Sequence, residues 1–320
     1  MPRMGRALST GTFKIPQTLP PPAEPYRTHQ PLAQDSPLTH TFFHDATSTW
    51  QFIVVDPNTN QAVLVDPALD YDPITGNLKT STAQSLLAFL RSRNYQLTRV
   101  LETHAHADHL TAAQFFKDAH DGSIPVCIGK RITQVQDTFA KRYKIPTAEL
   151  ENAFDKLWAD NEEFDLGRLK GRVLALPGHT PDHVGYKIGN SVYAGDTIFL
   201  PDVGSARADF PGGNPEALFE SAQYLLSLPD DYRIFSGHDY PGERVKSCWS
   251  TVKDQKELNK HMSNGITVED FKQMRLSRDA TLAEPKLLHQ SLQINIRAGK
   301  LPPADEQGHM YLRSPLRLLE

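Results

Sequence analysis

Only two cysteines, Cys127 and Cys248, occur in 320 residues. Such a pair cannot make a disulfide framework, and its spacing is not that of a C-x-x-C redox or zinc-ribbon motif. Inert, buried thiols in a reducing, intracellular compartment are therefore expected, either cytoplasm or mitochondrial matrix. Long apolar runs are missing as well. No stretch approaches the roughly 18 to 20 apolar residues that a bilayer-spanning helix needs, so no membrane partner is expected. Neither sign of charge dominates: 34 Lys and Arg stand against 38 Asp and Glu, for a formal charge of -4. That balance gives no reason to expect nucleic acid, and small molecules become the expected ligands.

A hydrophobic content of 39% over this length is enough for a large core. Residues 1 to 37 read as a flexible N-terminal extension. Its start carries Arg3, Arg6 and Lys14 with no acid before Glu24, followed by Pro20, Pro21, Pro22 and Pro25. This pattern suits both a mitochondrial targeting segment and a plain disordered tail. The main domain is expected over residues 38 to 245, and residues 246 to 320 as a helical segment and extended wrap packed on it. Trp50 to Val55, a turn at Asp56-Pro57-Asn58, and Ala62 to Val65 predict a β-hairpin. Thr80 to Arg93 predicts a helix with Leu86, Leu87 and Leu90 on its apolar face. Strands are predicted near 100, 125–128, 172–176, 183–188, 192–194 and 233–236. Helices are predicted near 109–119, 131–140 and 215–227, with a polar helical stretch over 244–278. Strands and helices mixed in this order imply a layered α/β fold.

The chemistry concentrates in His104-Ala105-His106-Ala107-Asp108-His109, directly after the β-run ending at Leu101. In extended backbone, alternate side chains share a face, so His104 and His106 can aim at one point, with Asp108 continuing the alternation. His109 then falls at the start of the following helix. Imidazole and carboxylate together suit zinc, iron or manganese. One histidine alone would be read as a surface or packing residue, but four ligand-type side chains in six positions are not explained that way. Three further ligand-type residues sit at strand ends beside glycine, in Gly178-His179, Gly195-Asp196 and Gly237-His238. Glycine there lets the chain turn and approach a bound ion. His29, His40, His44, His120, His183, His261, His289 and His309 lack ligand-like spacing. Of these, His183 stands out because it lies four residues after His179.

The ordered set His104, His106, Asp108, His109, His179, Asp196 and His238 resembles the metallo-β-lactamase superfamily over most of the chain after residue 38. The resemblance implies a four-layer αββα sandwich with a metal site at one edge. Within it, Val65-Asp66-Pro67, Leu101-Glu102-Thr103, Gly204 to Phe210, Ser236 to Tyr240 and Gln293 to Pro303 are similar to the persulfide dioxygenase branch. That branch implies one Fe(II) per chain on His104, His179 and Asp196, with His106, Asp108, His109 and His238 hydrogen-bonding around it and Asp108, His109 and His238 serving catalysis. It implies glutathione persulfide and O2 as substrates and a homodimer. Thr180, Arg207 and Tyr240 become candidate substrate contacts, Arg207 through its guanidinium fork to glutathione carboxylates. The competing expectation for Arg207 is an ion pair with Asp202 or Asp209. The residues equally admit zinc, or a dinuclear metal centre bridged by Asp196 that hydrolyses a glutathione thioester in the manner of glyoxalase II. A silent metal-binding scaffold predicts loss of a ligand, and none is lost.

Overall fold

Side-chain alternation sets the layers. In the strand Thr49–Val55, Phe52 and Val54 enter one hydrophobic cluster while Ile53 and Val55 enter another on the opposite face. The structure, a computed structural model, describes residues 11 to 316 and residue 318. Its first sheet contains β1 (Arg27–His29), β2 (Leu38–His44), β3 (Thr49–Val55) and β4 (Gln61–Val65). A two-stranded excursion, β5 (Asp70–Tyr71) and β6 (Leu78–Lys79), and the helix α1 (Ser81–Ser92) come before β7 (Gln96–Leu101). β7 returns to the first sheet, which β8 (Val126–Gly129) and β9 (Lys156–Trp158) complete in the order β1-β2-β3-β4-β7-β8-β9. The helices α2 (Ala113–Asp118) and α3 (Ile132–Tyr143) lie between these last strands in sequence.

The second sheet runs in sequence order through β10 (Glu163–Leu166), β11 (Leu169–Ala175), β12 (Val184–Ile188), β13 (Ser191–Tyr193), β14 (Arg233–Phe235) and β15 (Trp249–Thr251). The chain also forms α4 (Pro215–Leu226), α5 (Val252–Leu258), α6 (Val268–Asp279) and α7 (Leu288–Asn295). Three clusters fill the three spaces between four layers. Trp50, Phe52, Leu101, Val173, Tyr186 and Phe235 lie between the sheets. Ile53 and Val100 pack with residues of α1, α2, α3 and α7 on one outer side, and Leu174 and Ile234 with residues of α4, α5 and α6 on the other. This is the expected αββα sandwich. Full burial of a side chain such as Phe52 contributes about 1.5–3 kcal/mol.

Each sheet contains a parallel pair that brings two strand ends together. β4 runs parallel to β7 with Val65 opposite Leu101, so Asp66 ends beside Glu102 and Thr103. β13 runs parallel to β14 with Tyr193 opposite Phe235, so Asp196 ends beside His238. The sheets are stitched at this edge by backbone bonds from Val184 to Thr103 at 2.8 Å and from Trp50 to Gly237 at 2.7 Å.

Several local expectations need correction. The helix expected from residue 109 begins only at Ala113. The preceding backbone is committed elsewhere: the Leu110 carbonyl accepts from the Leu69 N–H and the Ala112 N–H donates to Pro67. The expected helical stretch over 244–278 opens on irregular chain and β15, and is then split into α5 and α6. Capping boxes start both helices, Thr251 with Asp254 and Thr267 with Asp270. The extension expected to be flexible is docked where it is described. Phe13 donates to Asp118 at 2.8 Å and meets the Phe115 ring at 6.1 Å, Ala23 donates to Ser85, and β1 extends the sheet. The start of the targeting-type segment, residues 1 to 10, lies outside the described residues. Among the described residues, no helix is long and apolar enough to cross a membrane.

Candidate metal centre

His104 sits three residues beyond β7, and its tautomer is set by its neighbours. The Thr103 hydroxyl donates to Asp66 Oδ2 at 2.8 Å, so at 3.0 Å from His104 Nδ1 it can only accept. His104 therefore carries its proton on Nδ1 and turns a bare Nε2 lone pair inward. That Nε2 is buried and has no partner. His179 is arranged alike, with Nδ1–H donating to the Arg207 carbonyl at 2.7 Å and Nε2 lying 3.7 Å from Asp196 Oδ2. Asp196 is held through its backbone N–H, which donates to His183 Nε2 at 2.9 Å. Its Oδ2 is 4.0 Å from His104 Nε2, and its Oδ1 is buried without a partner. Ligand atoms of His104, His179 and Asp196 all lie within 4.8 Å of one another.

The remaining polar residues of the run form adjoining groups. His106, Asp108 and His109 make one, and His106 with Asp66 and Glu102 another. Asp108 Oδ2 is 3.1 Å from His109 Nδ1 and 3.3 Å from His238 Nε2. His238 Nε2 is also 3.4 Å from Asp196 Oδ2, while its Nδ1–H donates to the Ser48 carbonyl at 2.9 Å. His106 Nε2 faces Asp66 at 3.0 Å and Glu102 at 3.6 Å. Burial alone would lower the His106 pKa, but the Asp66 charge and hydrogen bond, with Glu102 behind them, hold it well above the usual value. For Asp108, burial acts upward and is outweighed by the His238 and His109 charges, which carry its carboxyl below the ordinary range. Burial, followed by the positive potential of neighbouring imidazoles, keeps His104 and His183 neutral.

This donor set fits a cation. Buried lone pairs on His104 Nε2 and Asp196 Oδ1 point where no protein donor answers them, an arrangement that costs free energy unless a positive centre fills it. Two imidazoles and a carboxylate suit both iron and zinc.

A profile of the metallo-beta-lactamase superfamily matches residues 45–238. A beta-lactamase hydrolase-like protein of Xylella fastidiosa is 41% identical over 290 residues, which cover 90% of this chain and 67% of that protein. Glyoxylase B2 of Dictyostelium discoideum is 40% identical over 280 residues, 86% of this chain and 95% of that protein. The crystal structure of ETHE1 from Myxococcus xanthus superposes with a TM-score of 0.66 at 26% identity, covering 82% of this chain and 99% of that one. The chain belongs to the metallo-beta-lactamase superfamily. All seven residues of the ordered set lie within the matched span, and the fold brings them to one edge.

Two glycines are required at this superfamily site. Gly178 adopts φ +139° and a Cβ there would meet the Leu218 backbone N at 2.2 Å. Gly195 adopts φ +48° and its Cβ would meet the Thr103 hydroxyl at 2.6 Å and His183 Nε2 at 2.8 Å. Each precedes a ligand-type residue, as expected from the sequence.

The candidate substrate residues are placed less uniformly. Tyr240 is exposed and stacks on His238, with 6.1 Å between ring centroids and 13° between planes, so it flanks the cluster. Thr180 is fully buried, and the fold does not bring its hydroxyl to the surface. The Arg207 guanidinium makes two 2.5 Å bonds to Asp209 and a third to the Ala283 carbonyl, the ion-pair alternative. Its carbonyl is the part that serves His179.

Four residues with clear work at the site were not assigned it from sequence: Asp66, Thr103, Asp182 and His183. Asp182 accepts from the Ala105 N–H at 2.8 Å, and His183 stacks on His104 at 4.7 Å besides fixing Asp196. The signals available were the spacing of His183 from His179 and the position of Thr103 beside His104.

Proposed function

We propose that this chain is a persulfide dioxygenase that oxidises glutathione persulfide with O2 and water to sulfite and glutathione, using one Fe(II) held by His104, His179 and Asp196. The observation that carries this reading is the separation of the polar residues into groups. His104, His179 and Asp196 form a two-histidine, one-carboxylate set, whereas His106 turns Nε2 to Asp66 and Glu102, and Asp108 engages His109 and His238. When bound, iron(II) supplies the electron that activates dioxygen and leaves positions for a persulfide sulfur beside it. The chain's own part is preorganisation. Thr103 and the Arg207 carbonyl hold two imidazoles in the Nε2-bare tautomer, and His183 holds the Asp196 backbone. Asp108, His109 and His238 orient water and substrate protons next to that set. Tyr240, exposed and stacked on His238, would contact the persulfide substrate. The likeness to ETHE1 from Myxococcus xanthus supports the same reading.

A hydrolase with two metals is the second reading. It is favoured by the buried, partnerless His106 Nδ1 and His109 Nε2, which would complete a dinuclear site, and by the hydrolase-type and glyoxylase names of the 40–41% identical relatives. Metal content separates the two. Anaerobically purified protein should hold about one iron per chain; Asp196→Ala should lose it and His109→Ala should keep it. Equal loss in both variants, from a parent holding two metals, would instead favour the dinuclear centre that the hydrolase reading requires.

A further inference from the structure

The C-terminal segment reaches the metal centre through one side chain. Asn295, the last residue of α7, donates from Nδ2 to the carbonyls of both His106 and His109 at 2.8 Å, and its Oδ1 accepts from the Thr111 N–H at 2.9 Å. A carboxamide offers two donors on one side and an acceptor on the other, and this one uses all three on a single turn of backbone. The turn, residues 104 to 111, is the one that carries His104, His106, Asp108 and His109. Asn295 is itself 3% exposed, so these backbone groups have no solvent alternative.

The placement of Asn295 is also built. Directly after α7 the chain reverses through Ala298 and Gly299, at φ +57° and +84°, and a Cβ on Gly299 would come within 3.0 Å of the Gln114 backbone N at the start of α2. Gln136 of α3 donates to the Ile296 carbonyl at 2.9 Å, and Arg297 pairs with Glu149 at 2.7 Å. Bonds from α3 and from Glu149 thus fix the two residues that follow Asn295.

We infer that Asn295 is a positioning residue of the metal centre, closing the ligand-bearing turn from behind so that its imidazoles keep their aim. This rests on the assignment of a metal to His104, His179 and Asp196 and not on dioxygenase chemistry. Neither aspartate nor leucine can replace the carboxamide. Aspartate would set a carboxylate against two carbonyl oxygens, and leucine would leave three buried backbone groups unpaired.

The test loads the full chain with Co(II) under anaerobic conditions and follows its visible ligand-field spectrum and its release to a chelator. Wild type should bind about one cobalt in the site. Asn295→Asp and Asn295→Leu should release it at least about tenfold faster with a shifted spectrum. Asn295→Ser, which keeps a donor and an acceptor in a smaller side chain, should fall between them and wild type, and it serves if the other variants do not fold. Gln293→Ala is the control: it removes the bonds to the Arg313 backbone from the same helix without touching the turn, and should lower the melting temperature while leaving spectrum and release rate unchanged. The inference is overturned if folded Asn295 variants match wild type in both readouts, or if Gln293→Ala speeds release as much as they do. Failure of the wild type to take up cobalt would overturn the site assignment together with it.

Discussion

The Thr103 hydroxyl shows how one atom decides a ligand. It donates to Asp66 and therefore must accept from His104 Nδ1, which leaves Nε2 free to bind a cation. Thr103→Val keeps the shape and removes both bonds, so metal affinity is expected to fall about 10–100-fold in chelator competition, while wild-type affinity in the variant would contradict the relay. Arg207 offers the reverse case. Its carbonyl, not its guanidinium, meets His179, and Asp209 and Ala283 already occupy the guanidinium. Arg207→Ala is accordingly expected to retain its metal by elemental analysis. At this scale the sequence was legible where chemistry shows in residue type, as in the His104 to His109 run. Roles carried by backbone carbonyls, or by a common residue such as Thr103, have no compositional signature.

Among the elements, α6 does for the His179 side what α7 does for the ligand turn. Arg275 and Asp279, four residues apart and both buried, form an ion pair at 2.8 Å. Arg275 also donates to the Ser205 and Ala206 carbonyls, and Asp279 accepts from the Ala208 N–H, so the pair grips the loop that presents the Arg207 carbonyl. Removing one partner strands a buried charge. Asp279→Ala is expected to cost about 3–5 kcal/mol in denaturant unfolding, and a loss below about 1 kcal/mol would show that the clamp is idle. The helix period and the β-runs made α1, α3, α4 and the central strands readable in advance. Short edge pieces such as β1, β9 and β15 were not, because three residues carry too little pattern and owe their conformation to the neighbouring strand. The late start of α2 was hidden for a different reason: its helical signal is overridden by tertiary hydrogen bonds in the preceding turn.

Over the whole molecule, buried neutral histidines tie stability to pH. His29, His40 and His261 are lowered from 6.5 to about 4, chiefly by burial and then by nearby arginines. The unfolded chain therefore binds more protons between about 6.5 and 4, and stability falls as pH drops through that window. Asp70, where burial is outweighed by bonds from His44 and Thr82 that take it to about 2, adds a further loss below 3.8. The urea midpoint of the metal-free chain should fall steadily from pH 6.5 to 4, and a flat profile would contradict these burials. A layered α/β fold was legible from the order of strands and helices, the motif from its residue types and spacing, and the four-layer αββα form only through the resemblance that the motif carries. The docking of residues 11 to 37 was not legible, since a proline-rich, acid-poor composition describes solubility and not the groove that receives it. What the edge of this sandwich catalyses is tested most directly by an oxygen electrode. Anaerobically purified protein given glutathione persulfide should consume O2 and yield sulfite, and should leave S-lactoylglutathione intact. Cleavage of that thioester with no oxygen uptake would contradict the account.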